Sequence, residues 1–119
     1  MAAVDNLSLT AISGNLLDPT AVAGGQERVD PLFQSAELRI ERIVSNRYQS
    51  PAGFWYDQDD DEFVVLIAGA ATLEFSGGNS RVMSAGDWVL IPAHVPHRIA
   101  HTDASTVWLA IHAQKRVRS

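Results

Sequence analysis

The chain has no cysteine among its 119 residues. This absence excludes a disulfide framework, a thiolate nucleophile and a zinc–thiolate site. Basic residues are also few, because nine Lys and Arg stand against fourteen Asp and Glu, for a net charge of −5. A protein that binds nucleic acid needs a clustered basic face, and the only basic cluster is the tail, Lys115, Arg116 and Arg118. We therefore expect no nucleic-acid partner.

Long apolar runs are missing as well. None approaches the roughly 20 residues that a membrane-spanning helix needs, and the N-terminus lacks the basic start and apolar stretch of a secretory signal. With 46% apolar and 19% charged residues, the composition is typical of a globular protein. A chain of this length can bury one proper core. We expect one cytoplasmic domain with no membrane partner.

The first 36 residues differ in amino-acid composition from the rest of the chain. They are rich in Ala, Gly, Asp and Pro and contain two chain breakers, Gly24-Gly25 and Asp30-Pro31. We expect residues 1–36 to form an N-terminal arm, with or without a short helical turn, that covers the core or a partner subunit.

Residues 37–119 contain short β-rich segments separated by turn signals. Gly77-Gly78-Asn79 and Gly86-Asp87 are typical of hairpin connections, and no segment shows a 3.6-residue period with caps. Many short strands at close spacing predict an all-β sandwich or barrel. The predicted strands are ELRIERIVS, GFWY, EFVVLIAG, ATLEFS, SRVMS, DWVLIPA, HRIAHT and TVWLAIHA.

Period-two alternation predicts which side chains of two strands share a face. An inward glutamate and two inward histidines would be costly in a small barrel unless they were paired, hydrogen-bonded or bound to a metal. The two predicted inward faces are Glu62 with Val64, Leu66 and Ala68, and His97 with Ile99 and His101.

The spacing around these residues is more specific than the strand pattern. From residue 86 the chain reads GDWVLIPAHVPH, and upstream six residues separate Glu62 from Gly69. This resembles the two motifs of the cupin superfamily, G-x5-H-x-H-x3-4-E-x6-G and G-x5-P-x-G-x2-H-x3-N. Glu62 and Gly69 match the end of the first motif, and Gly86, Pro92 and His97 match the second.

The resemblance covers roughly residues 37–112 and implies a fold and a site. The fold is a cupin-type double-stranded β-helix, a jelly-roll barrel, assigned to residues 37–119. The site is a small-molecule pocket in the barrel mouth. The resemblance also implies that Glu62 and His97 are ligands of a divalent metal ion, namely Fe, Mn, Zn or Ni.

The HxH pair of the first cupin motif is missing. Its place is taken by Trp55-Tyr56-Asp57 if four residues precede the glutamate, or by Tyr56-Asp57-Gln58 if three do. Asp57 or Gln58 would then offer an oxygen ligand. His101, where the family usually has asparagine, would supply a second imidazole.

Three further side chains are candidates for the site. In the shorter register Tyr56 would face the pocket as an acid, a base or a hydrogen-bond donor. His94, where the family usually has glycine, is a rim residue or a general base. His112 either lines the pocket or lies on the surface.

Several functions fit this pattern. The first hypothesis is a small metalloenzyme of oxygenase, isomerase or lyase type that acts on a small molecule. The second is a metal-free binding or sensing protein, and a third is metal-independent sugar isomerisation with a histidine base and a tyrosine acid. A homodimer is expected because pairing would protect the apolar edge LRIERI.

Overall fold

The structure is a computed structural model that describes residues 11–114. All regular elements in this range are β-strands, and none of the described residues forms a helix with the length and apolarity to span a membrane. The strands are β1 (Gln26–Gln34), β2 (Leu38–Asn46), β3 (Asp60–Ala68), β4 (Ala70–Phe75), β5 (Ser80–Ser84), β6 (Trp88–Ile91), β7 (His97–Thr102) and β8 (Thr106–Gln114).

Two antiparallel sheets pack around one core. The larger sheet has the strand order β1-β2-β8-β3-β6, and the smaller has the order β5-β4-β7. Alternate residues of each strand point inward, so the apolar side chains of both sheets meet. The predicted all-β architecture is confirmed. The buried core cluster comprises Val64, Leu66, Ala71, Leu73, Met83, Ile91, Ile99, Trp108 and Ala110.

Two predictions about the strands need correction. The segment GFWY is not a strand, since only Tyr56 forms a bridge, with His97. The N-terminal arm contains a strand that was not predicted, because β1 pairs with β2 from Gln26 to Gln34. Pro31 and the register shift that follows it interrupt the alternation that would have revealed this strand. Residues 11–36 contain hydrogen-bonded turns at residues 16–17 and 24–25 but no helix, and residues 1–10 lie outside the described part.

The segment LRIERI is not an exposed edge. It lies in β2, between β1 on one side and β8 on the other. The homodimer therefore stays a prediction, but the reason given for it from the sequence no longer holds. The edges of the large sheet are β1 and the four-residue strand β6.

Gly69 fixes the connection between β3 and β4. Its φ of +87° is in the left-handed region, and a Cβ atom there would lie 2.8 Å from the Cα of Thr106. Only glycine avoids both problems. The close approach holds the end of β3 against the start of β8, and these two strands carry Glu62 and His112.

Candidate functional site

A cavity of about 150 Å³ lies inside the barrel, between the two sheets. Its inner part is apolar and includes Val64, Leu73, Ile99 and Trp108. A polar wall faces this apolar part, so the cavity suits a small molecule with both kinds of surface. The polar wall consists of Glu27, Arg39, Glu41, Tyr56, Gln58, Glu62, His97 and His112.

Glu62 and His97 meet at the centre of the polar wall. Both side chains are buried, with residue exposures of 7% and 5%, and their inward orientation agrees with the prediction. The His97 Nε2 atom lies 3.4 Å from Glu62 Oε1. At this distance the contact is electrostatic rather than a well-formed hydrogen bond. Glu62 Oε1 has no hydrogen-bond partner among residues 11–114.

The tautomer of His97 is set by a backbone contact. Its Nδ1 atom donates a hydrogen bond to the Val95 carbonyl oxygen at 2.9 Å, which leaves Nε2 facing the cavity. Burial opposes protonation of this imidazole, but the Glu62 carboxylate and the Val95 carbonyl outweigh that effect and raise the pKa of His97. Without a metal ion, this raised pKa favours the imidazolium form of His97.

A second imidazole lies on the other side of Glu62. His112 is buried, and its Nε2 atom lies 3.3 Å from Glu41 Oε1 and 3.8 Å from Glu62 Oε2. The other oxygen of Glu41 accepts a hydrogen bond from Arg39 Nε at 2.9 Å. Of the two positions considered for His112, the structure places it in the cavity wall.

Glu41 was missed by sequence reasoning. It alternates with Arg39 and Ile43 on the inward face of β2, and all three line the cavity. The available signal was two charged residues, Arg39 and Glu41, at alternate positions that share a face with Ile43. That signal is hard to use because it needs the neighbouring strands, and the register of β2 with β8 cannot be obtained from one sequence.

Tyr56 and Gln58 line the cavity, whereas Asp57 between them points away and its side chain is 55% exposed. This alternation corresponds to the shorter of the two registers. Tyr56 exchanges two backbone hydrogen bonds with His97, of 2.7 and 3.0 Å, and its ring stacks on the imidazole at 5.5 Å. Burial and the charge of Glu27 raise the pKa of Tyr56, so its hydroxyl is a hydrogen-bond donor rather than a base.

His94 lies outside the cavity. Its side chain is 62% exposed, and its Nδ1 and Nε2 atoms lie 2.8 Å from Asp57 Oδ1 and 3.4 Å from Asp59 Oδ1. Its backbone N–H donates to the Gln58 carbonyl at 2.8 Å, from a residue with a φ of +64°. His94 thus fastens the loop before β7 to the segment that carries Tyr56 and Gln58, which is a rim position.

His101 does not share the inward face of His97, contrary to the prediction. A register shift in the pairing of β4 with β7 makes Ala100 an extra residue, and such a bulge reverses the alternation beyond it. The His101 side chain is 60% exposed and contacts Asp103 Oδ1 at 2.8 Å. Thr102 takes the buried position instead and donates a hydrogen bond to the Tyr48 carbonyl.

Glu27 adds a third carboxyl group to the cavity wall, from β1. Burial, together with the nearby charge of Glu62, raises its pKa to about 7. This residue lies in the segment assigned to the arm, and nothing in its local sequence distinguished it.

Two donor atoms of the polar wall at a time are separated as two ligands of one divalent ion would be. No group of three or more His, Cys, Asp or Glu side chains in residues 11–114 is arranged to hold a metal ion as it stands. An ion with bonds of about 2.0–2.2 Å holds its ligands roughly 3–4 Å apart, as His97 Nε2 and Glu62 Oε1 are. The bond from His97 Nδ1 to a carbonyl is typical of metal-bound histidine. Glu62 Oε1 and Gln58 Oε1 are buried without a partner among the described residues.

Comparisons with known proteins identify relatives of this arrangement. The family model described as "Cupin domain" matches residues 49–112. The chain is similar to a Ralstonia eutropha JMP134 protein named "putative mannose-6-phosphate isomerase", with 44% identity over 88% of this chain and 100% of that chain and a TM-score of 0.84. None of the curated proteins that were compared matches the chain.

More distant structures show the same fold. A conserved Streptococcus pyogenes protein of unknown function has 16% identity, covers 91% of both chains and gives a TM-score of 0.74. An RmlC-like cupin from Desulfovibrio desulfuricans has 15% identity over 87% of this chain and 97% of that chain, with a TM-score of 0.73. Since the family model spans more than half of the sequence, including Glu62 and His97, the chain belongs to the cupin family.

Proposed function

We propose that the barrel cavity is the active site of a small metalloenzyme of isomerase type. The observation that carries this proposal is the buried contact of 3.4 Å between His97 and Glu62. We propose that these two residues hold a divalent ion, with the Gln58 carbonyl oxygen beside them. Such an ion would polarise an oxygen atom of the substrate.

The proton-transfer group of the proposed enzyme is Glu27. Its pKa of about 7 is close to the working pH, where a general acid–base group is most effective. In its charged form the carboxylate would take a proton from the hydroxyl-bearing carbon next to the carbonyl group and return it to the carbonyl carbon, while the proton of that hydroxyl group passes to the former carbonyl oxygen. The Tyr56 hydroxyl lines the same cavity and donates a hydrogen bond to a substrate oxygen.

The substrate class that suits the cavity is an uncharged polyol or sugar. Its hydroxyl groups would donate to the unpartnered oxygens of Glu62 and Gln58. Arg39, the arginine of the cavity wall, is already 2.9 Å from Glu41 and 3.8 Å from Asp60. The name of the Ralstonia relative supports sugar isomerisation, but we propose that a free sugar suits this cavity better than a sugar phosphate.

Metal analysis tests the metal part of the proposal. Protein prepared without a histidine tag should contain close to one divalent ion per chain, and His97→Ala should contain almost none. His101→Ala is the matched control because that imidazole is exposed and paired with Asp103. Equal and negligible metal in all three proteins would refute the proposal.

Deuterium exchange tests the reaction class. Mannose and mannose 6-phosphate would be incubated with the protein in D₂O, and deuterium next to the carbonyl carbon would be measured by NMR. We expect incorporation into mannose and a loss of at least about 100-fold in Glu27→Gln. Glu74→Gln is the control, because Glu74 lies outside the cavity and contacts Arg98. Incorporation into neither sugar, or no effect of Glu27→Gln, contradicts the proposed reaction.

A metal-free binding or sensing protein is the second candidate. It is favoured by the raised pKa of His97, because an imidazolium neutralises Glu62 without any ion. This candidate predicts that a bound sugar raises the melting temperature equally with and without a chelator. If the chelator abolishes the stabilisation, the second candidate is excluded.

A further inference from the structure

We infer that the barrel cavity also binds small primary amines, with the ammonium group beside Glu27 and Glu62 and the hydrocarbon part between the two sheets. Such ligands are a different chemical class from the proposed sugar substrate. The inference therefore goes beyond the proposed reaction, and it does not depend on a bound metal ion. Three properties of the cavity support it, namely its negative charge, its unpartnered acceptors and its apolar lining.

The cavity wall carries more carboxyl groups than permanent cations. Glu27, Glu41 and Glu62 line the cavity together with a single arginine, Arg39. Arg39 Nε donates a hydrogen bond to Glu41 at 2.9 Å. The His112 Nε2 atom lies 3.3 Å from the other oxygen of Glu41 and 3.8 Å from Glu62. The one arginine of the wall is thus already committed to Glu41.

Glu27 and Glu62 have too little positive charge near them. His97 Nε2 lies 3.4 Å from Glu62 Oε1, whereas no salt bridge to Glu27 is found in the described part of the chain. Burial and the charge of Glu62 raise the pKa of Glu27 to about 7, as expected for neighbouring carboxyl groups that lack counter-charge. Above that pH a cationic ligand would neutralise the excess negative charge.

Two acceptors in the cavity wall have no donor. Glu62 Oε1 and Gln58 Oε1 are buried without a hydrogen-bond partner in residues 11–114, and Glu62 as a whole is only 7% exposed. Leaving a buried acceptor unsatisfied is costly. A primary ammonium group offers three N–H donors and no acceptor, whereas a hydroxyl group offers one donor. The ammonium group therefore matches this wall better than a single hydroxyl group does.

The remainder of the cavity suits a hydrocarbon group. Val64, Leu73, Ile99 and Trp108 line it and belong to the buried core. The volume is about 150 Å³. An apolar cavity of about that volume can hold benzene, so we expect the hydrocarbon part of the amine to have about six carbon atoms.

An amine and the proposed metal ion would exclude each other, because both need the Glu62 oxygen that faces His97. Binding of an amine is therefore measured on untagged protein that has been treated with a chelator. The indole N–H resonance of Trp108 gives a local signal, since this residue lines the cavity. Trp88 is the internal control because it is 57% exposed and lies on β6.

NMR titration with three ligands of similar shape tests the inference. Benzylamine, benzyl alcohol and benzoate would be added at pH 8, where their head groups are positive, neutral and negative. We expect benzylamine to shift the Trp108 resonance and to bind at least about tenfold more tightly than benzyl alcohol, with benzoate weakest, because only the ammonium group complements the carboxylates. If benzylamine does not bind, or binds no more tightly than benzyl alcohol, the inference is wrong.

Two substitutions test the position of the ammonium group. Glu27→Gln and Glu62→Gln should each weaken benzylamine binding by at least about tenfold and change benzyl alcohol binding by less than about twofold. The neutral ligand thus separates loss of charge from damage to the fold. Glu74→Gln is the matched control, because Glu74 lies outside the cavity and contacts Arg98. If both cavity variants keep the native preference for benzylamine, the inference is overturned.

The outcomes distinguish this inference from the proposed metalloenzyme. If the protein holds a metal ion, one equivalent of Zn²⁺ should displace benzylamine from the chelator-treated protein. If metal analysis finds no ion but benzylamine binds as expected, the metalloenzyme fails and the amine site stands. If the protein holds metal and benzylamine does not bind, only the amine site is overturned.

Discussion

Glu62 is the residue on which the electrostatics of the cavity depend. It contacts His97 with one oxygen and His112 with the other, and its charge raises the pKa values of Glu27 and His97. Replacing Glu62 by a neutral side chain of the same shape should therefore change the pKa values of both Glu27 and His97.

At this scale we predict that Glu62→Gln lowers the pKa of His97. Burial already opposes protonation of the imidazole, so only the Val95 carbonyl would still favour it strongly. NMR titration of the ring protons in chelator-treated protein would measure the shift. Glu74→Gln, which removes a surface contact to Arg98, should leave the titration unchanged, and an unaltered curve in Glu62→Gln would contradict this prediction.

The predictability of the site varied from residue to residue. Glu62 and His97 could be found because motif spacing and strand alternation agree on both. His101 could not be placed, because the bulge at Ala100 depends on how β7 pairs with β4. Glu41 and Glu27 depend on a sheet register that becomes known only once the strands are assembled.

At the level of elements, the strands from β2 to β8 follow from alternation and turn residues. Hairpin signals such as Gly77-Gly78 lie where the chain reverses between β4 and β5. The strand β1 escaped prediction because Pro31 and an irregular register hide its alternation. GFWY has strand composition, yet only Tyr56 finds a partner strand.

We predict that Gly69→Ala destabilises the fold more than an equivalent change at Gly78. Both glycines have a positive φ, but a Cβ at Gly69 would collide with Thr106 whereas one at Gly78 meets open space. We expect a loss of about 2 to 3 kcal/mol for Gly69→Ala and about 1 kcal/mol for Gly78→Ala. Urea unfolding would measure both, and equal losses would show that the contact with Thr106 is not decisive.

At the scale of the whole molecule, the cavity makes stability depend on pH. Glu27 has a pKa of about 7 in the fold against an ordinary value of 4.5, so the folded state holds its proton more tightly than the unfolded state does. The stabilisation is complete below pH 4.5 and is lost as the pH rises through about 7. The raised pKa of His97 acts in the same direction above its ordinary value of 6.5.

Glu27→Gln should remove the larger part of this dependence. One pKa unit corresponds to about 1.4 kcal/mol, and partial exposure of Glu27 reduces the effect. We expect the variant to be about 1 to 2 kcal/mol more stable than the unchanged protein at pH 8 and equal to it at pH 4. Denaturant unfolding of chelator-treated protein would measure this difference, and a variant less stable at pH 8 would contradict the assignment.

The homodimer remains a prediction at this scale. The edge strand β6 carries two large exposed side chains, Trp88 at 57% and Leu90 at 56%. An uncovered apolar edge of this kind favours association. The exposed edge strand β6, rather than the segment LRIERI, is now the reason to expect a second subunit.

The position of β1 links the site to the local stability of the fold. β1 is an edge strand with a hydrogen-bonded neighbour on one side only, and edge strands open at a lower free energy than central ones. Because β1 carries Glu27 and Val29 of the cavity wall, each fraying event also dismantles part of that wall. Any molecule held there should therefore stabilise the docked strand, and occupancy of the cavity should increase the protection of β1 from exchange and proteolysis.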